Sequence, residues 1–228
     1  MRYVGLLAGI GLLLAVTGTA GAVTITVPGL ACPHFAGQDV ADLTGSGVPY
    51  FYGDAQSACL PPYVDITGFV GGPIDISATG GWSHSINSLP ENYAGPDGSP
   101  GSITTYGVYA VFGIRPLLGG NLDLLVGVFL TDDPPDPGYN PGSLTVGTSD
   151  MTTPALQQVF AIGSSLGGIT IPTDATRLFF GLNDGYTWRD NAGSLDVTVV
   201  PEPVTMAGLM LGVGCLARYV RRRRRPAH

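Results

Sequence analysis

The sequence predicts an all-β protein, a β-sandwich or jelly roll, carried between two short apolar segments of a different kind. Three observations lead there. Between Val23 and Val200 the apolar residues come in short runs rich in Val, Ile, Thr, Phe and Tyr, separated by Gly, Pro, Asn and Asp, the pattern of strands joined by turns. No long stretch repeats at the 3.6-residue period of a helix. Glycine (35) and proline (19) make up about a quarter of the 228 residues, a share that approaches disordered chains. Yet 44% of the residues are apolar, enough to bury a core.

In chain order, Arg2 precedes an apolar run from Val4 to Val16 and then the small residues Thr17 to Ala22. Ala20-Gly21-Ala22 fits the small-x-small site of a signal peptidase, so residues 1–22 read as a signal peptide and Val23 as the mature start. Nine strands follow: Val23 to Val27, Tyr63 to Val70, Pro73 to Thr79, Tyr106 to Ile114, Leu122 to Phe129, Leu144 to Val146, Gln157 to Ile162, Arg177 to Leu182 and Ser194 to Val200. The alternation Leu195-Asp196-Val197-Thr198-Val199 marks a strand with one face buried. Four prolines make Thr131 to Gly142 a loop. The body is expected to span residues 23–200.

Residues 201–228 form a tail in three parts: Pro201-Glu202-Pro203, an apolar stretch Val204 to Ala217, and basic Arg218 with Arg221 to Arg225. The prolines stop the preceding strand. The apolar stretch predicts a short hydrophobic helix. With Val220 included it is long enough to cross a bilayer, Arg218 snorkelling to the interface and Arg221, Arg222 and Arg223 on the cytoplasmic side.

Charge is distributed unevenly. Only 12% of residues are charged, lysine is absent, and the whole chain carries −7. Most arginines lie in the tail, so the body sets three of them, Arg115, Arg177 and Arg189, against sixteen acids and carries −13. A surface so acidic repels phosphate backbones, which excludes nucleic acid as its partner.

Two of the three cysteines, Cys32 and Cys59, lie in the body of an exported chain, so a disulfide between them is expected. Closing that loop contributes about 3 kcal/mol in the chain-entropy description. Two unpaired thiols are the alternative.

Gly163-Ser164-Ser165-Leu166-Gly167 matches the G-x-S-x-G pattern of hydrolases. That chemistry needs a strand–turn–helix around the serine and a later histidine, and only His228, in the tail, follows. The segment reads as a glycine-rich turn and the chain as no enzyme. His34, Cys32 and Cys59 lack the spacing of a structural zinc site. The stretch Gly181 to Ser194 is richer, because Asp184, Asp190 and Asn191 bring hard oxygens to one loop, the donor type that Ca²⁺ takes. A hairpin with Asp184-Gly185 in the turn is the alternative. Trp82, Tyr186 and Trp188 are available to stack on a sugar or to fill the core. Asp132, Asp133 and Asp136, with prolines among them, read as a solvated acidic loop.

Two resemblances sharpen these readings. The tail, with Val200-Pro201-Glu202-Pro203 before helix and arginines, closely resembles the PEP-CTERM sorting signal of exosortase substrates in bacteria. That resemblance implies transient tethering to the inner membrane, recognition by an exosortase, removal of the tail, and delivery to the cell surface or extracellular matrix. Signal peptidase and exosortase are then its processing partners.

From about Tyr63 to Val200 the body resembles the calcium-dependent galactose-binding lectins of bacteria. Asn183-Asp184, Asp190-Asn191 and Gly193-Ser194 match their loop, Gly80-Gly81-Trp82 a strand end, and Gly95-Pro96-Asp97-Gly98 a turn. By this resemblance Asp184, Asp190 and Asn191, with the carbonyls of Ser85 and Thr187, hold Ca²⁺. Extracellular polysaccharide is then the ligand, with Trp82, Asp184, Tyr186 and Trp188 against the sugar. Asp190 stands where that family has Asn, the loop is slightly shorter, and the family's sugar-contacting residues lack clear counterparts after Gly98. Two functions follow from the sequence: an exported surface protein that binds carbohydrate with calcium, or a structural matrix component with no discrete ligand.

Overall fold

The computed structural model describes residues 21–39, 57–69, 72–103, 112–185 and 188–202. One compact unit spans Ala22–Glu202. The expected signal peptide, but for Gly21 and Ala22, and the expected tail helix therefore lie outside the described residues. Among the described residues no helix is long and apolar enough to cross a membrane.

The compact unit is an all-β sandwich of antiparallel sheets. Its strands are β1 (Val23–Pro28), β2 (Tyr63–Asp65), β3 (Ile74–Ser83), β4 (Asp97–Ile103), β5 (Asn121–Leu130), β6 (Val159–Ala161), β7 (Ser165–Ile169), β8 (Arg177–Asn183) and β9 (Ala192–Pro201). One sheet runs β1-β9-β3-β7; the other runs β2-β8-β5-β4, with β6 beside the second half of β5.

Alternation settles which faces meet. In β3, Ile74, Ile76 and Ala78 are buried while Asp75, Ser77 and Thr79 are exposed; in β9, Leu195, Val197 and Val199 are buried. Register places Leu125 opposite Leu182, Gly127 opposite Phe180, and Phe129 opposite Leu178, one inward row. Val126, Val128 and Phe179 belong to a second cluster with Ala36, Ile114, Leu117 and Leu130. β5 is therefore covered on both faces, which is why its sequence is a continuous apolar run. Each large side chain buried there contributes about 1.5–3 kcal/mol.

Several expectations change. The strand expected over Tyr63 to Val70 ends at Asp65, because Asp65 Oδ1 accepts both the amide (2.9 Å) and the hydroxyl (2.6 Å) of Thr67 and turns the chain. Leu144 to Val146 makes an isolated bridge, Leu118 to Thr145, instead of a strand. Of Tyr106 to Ile114, residues 106–111 lie outside the described residues, and Phe112–Gly113 is a turn. β4 and β7 form where no strand was expected. Of the glycine-rich segment read as a turn, Gly163 and Ser164 form one, and from Ser165 the chain becomes β7, an edge strand on β3, with the Gly168 amide donating to Asp75 Oδ1 at 2.8 Å.

The disulfide expected between Cys32 and Cys59 is not made. Both side chains are buried thiols, although their backbones adjoin, the Cys32 amide donating to the Cys59 carbonyl at 3.0 Å. Burial pushes the Cys32 thiol well above its ordinary range.

Candidate functional site

β8 delivers Asn183 opposite Leu124 in one sheet, and β9 begins in the other, where its Ala192 pairs with Ser83 of β3. Everything that leaves the strands here converges on one end of the sandwich: Asp184 after β8, Asp190 and Asn191 before β9, and His84 and Ser85 after β3. The register thus brings Asp184, Asp190, Asn191 and Ser85 to the same end. Thr187 and Tyr186 lie outside the described residues.

Glycine permits this convergence. Gly193 has φ 85°, and a Cβ there would meet the Gly81 carbonyl oxygen at 2.4 Å and Trp82 Cα at 2.7 Å. The β3 and β9 backbones can approach only across a residue without a side chain.

The loop is anchored from beneath. Residues Trp188–Asp190 form a 3₁₀ turn, and the Asn191 amide donates to the Trp188 carbonyl at 3.2 Å. The Trp188 ring is 1% exposed, its indole N–H donates to the Leu182 carbonyl at 2.8 Å, and it meets the His34 ring edge-on at 6.0 Å. His34 is buried, and burial lowers its pKa from 6.5 to about 4, offset only in part by a hydrogen bond with the backbone of Ile114.

Asn191 is 3% exposed. Its side-chain amide donates to the Gly29 carbonyl at 3.0 Å, while its Oδ1 is buried with no hydrogen-bond partner. Buried polar atoms in folded proteins are nearly always satisfied, so this oxygen stands out among the polar groups of the loop. Asp184 Oδ1 accepts the Gly185 amide. Among the described residues no three His, Cys, Asp or Glu side chains converge as a metal cluster. Hard oxygens from two carboxylates, an amide and backbone carbonyls suit Ca²⁺ and not zinc.

The stacking role considered for the tryptophans is corrected. Trp82 is fully buried and Trp188 nearly so, each with its N–H satisfied inside, Trp82 by the Asp123 carbonyl at 2.7 Å. A ring with no exposed face cannot receive a sugar. The G-x-S-x-G serine, Ser165, begins β7 with no helix after it, and the amide of Ser164 is held by Asp97 Oδ1 at 2.7 Å. The tail motif enters the sheet: Pro201 pairs with Ile74, and the Glu202 amide donates to the Pro73 carbonyl at 2.9 Å. Pro203 and Arg221, Arg222 and Arg223 lie outside the described residues.

Sequence reasoning missed Asp123, which is buried near the start of β5 at this same end. A signal was present: an acid inside the apolar run Leu122-Asp123-Leu124-Leu125 is costly to bury unless it has a task.

No protein-family model matches the chain, and no curated protein matches it. A solved domain described as the EclA N-terminal domain, a PllA-like lectin, is similar to it in structure. The similarity covers 80% of this chain and 98% of that one, at 15% sequence identity and a TM-score of 0.36.

Proposed function

We propose that the chain is an exported, exosortase-sorted surface or matrix protein whose β-sandwich binds carbohydrate with the help of Ca²⁺. The ion is held at residues 184–191 by Asp184, Asp190 and the Asn191 amide oxygen, with the carbonyls of Ser85 and Thr187. The observation that carries this reading is the buried, unpartnered Oδ1 of Asn191 in a loop flanked by two carboxylates. A bound cation would satisfy that oxygen. Bound Ca²⁺ supplies coordination positions for sugar hydroxyls; the protein's part is to hold the oxygens at fixed spacing.

Calcium titration of the full chain tests it. At about a hundred times its Kd the ion stabilises the native state by about 2.7 kcal/mol, a rise in Tm of about 5–10 °C. The rise should be absent in Asp184→Ala and reversed by chelator. A wild-type chain whose Tm ignores millimolar Ca²⁺ sinks the metal site and leaves the structural matrix component as the better reading.

Sorting is tested separately. Deleting Pro201 to Pro203 should leave precursor of unchanged size in the membrane, seen as a single band in a membrane-fraction immunoblot. Unaltered processing and release would refute the sorting role.

A further inference from the structure

The same end of the sandwich carries a second polar group, built on other strands. Asp123, 1% exposed, has φ 65°, a left-handed conformation that aspartate tolerates better than most residues. Its carbonyl accepts the Trp82 indole N–H at 2.7 Å, and its Oδ2 accepts the Ser99 hydroxyl at 2.7 Å. The same oxygen lies 2.9 Å from Nδ1 of His84. Oδ1 is buried with no hydrogen-bond partner. His84, in contrast, has a side chain 45% exposed.

The arrangement commits a buried carboxylate to orienting a surface imidazole. A carboxylate accepts only, so Nδ1 carries the proton, and in the neutral ring Nε2 is then an acceptor left for solvent or a ligand. Next to it in the same loop stand two exposed apolar side chains, Ile86 (65%) and Leu89 (58%). An oriented acceptor beside apolar surface matches a saccharide, whose ring presents hydroxyls at its rim and C–H groups on its face. The strongly acidic body, with three arginines against sixteen acids, disfavours a carboxylated or sulfated sugar.

We propose that His84 is a specificity-determining contact of the carbohydrate site. Its Nε2 accepts a hydrogen bond from a hydroxyl of a neutral saccharide, Ile86 and Leu89 pack on the sugar's C–H face, and Asp123, aided by Ser99, is the positioning residue. The inference rests on the carbohydrate reading above and adds the class of sugar and the residues that select it.

The test is binding of the full chain, with Ca²⁺ present, to immobilised neutral pyranosides: galactose, glucose, mannose and N-acetylglucosamine. His84→Ala changes an exposed side chain, and its fold is checked by circular dichroism. It should bind the pyranoside that wild type prefers about tenfold more weakly, the loss of one good hydrogen bond. Asp123→Asn reads the positioning role: ¹⁵N NMR of His84 should show the Nδ1–H tautomer in wild type and the Nε2–H tautomer in the variant. Wild-type affinity in His84→Ala overturns this inference alone. Wild type that binds none of the four pyranosides overturns the carbohydrate reading and this inference with it, and an unshifted tautomer in Asp123→Asn removes the positioning role.

Discussion

Lowering the pH from 7 to 5 is expected to cost the fold about 2 kcal/mol through His34. The residue is buried beside Trp188, and its folded pKa, about 4, lies below the 6.5 of the exposed side chain. Between those values the unfolded chain binds a proton that the folded one refuses, so stability rises with pH across that window. The contribution is fully present above about 6.5 and is lost as pH falls towards 4, some 3 kcal/mol in all. Denaturant unfolding at pH 7, 6 and 5 measures it. His34→Leu should flatten the slope whatever it does to absolute stability, because the ring that titrates is gone. An equal slope in the variant would assign the acid sensitivity to carboxylates instead.

Gly193→Ala should destabilise the chain by on the order of 3 kcal/mol, from left-handed strain added to a backbone clash. The added Cβ would fall 2.4 Å from the Gly81 carbonyl oxygen, and neither strand can retreat without breaking the β3–β9 register. Gly147 provides the control: its φ is 83°, but a Cβ there meets nothing within 4 Å. Gly147→Ala should therefore cost only about 1 kcal/mol. Equal losses at the two positions would mean that conformation alone, and not the close approach of the strands, makes Gly193 necessary. Because Gly193 follows Asn191 by two residues, its substitution should also weaken any calcium response.

The strands that were legible in the sequence are those whose side chains alternate or run continuously apolar. β9 and β3 announce one buried face, and β5 announces two. β4 and β7 were illegible because Asp97–Ile103 and Ser165–Ile169 are mostly exposed and rich in glycine and serine. Such edge strands form because a neighbour offers unpaired backbone groups, a cause outside their own sequence. The candidate site divides in the same way. Asp184, Asp190 and Asn191 share a loop and could be found by spacing, whereas Asp123, Ser99 and His84 come from β5, β4 and the turn after β3. The tryptophans show the limit in reverse. An aromatic near a polar loop reads equally well as a sugar platform or as core, and only the positions of the Asp123 and Leu182 carbonyls decide for core.

The order of residues alone makes this body fold as strands, since side chains on a strand alternate between faces and its apolar residues follow that period. Their composition also determines the strongly acidic charge, which is a matter of counting. Which oxygens meet, which of the Asn191 and Asp123 oxygens lack a partner, and that the Cys32 and Cys59 backbones adjoin, emerge from the folded arrangement. Those outcomes depend on register between strands far apart in the chain, β3 against β9 above all, and a shift of one residue there would exchange every inward side chain for an outward one.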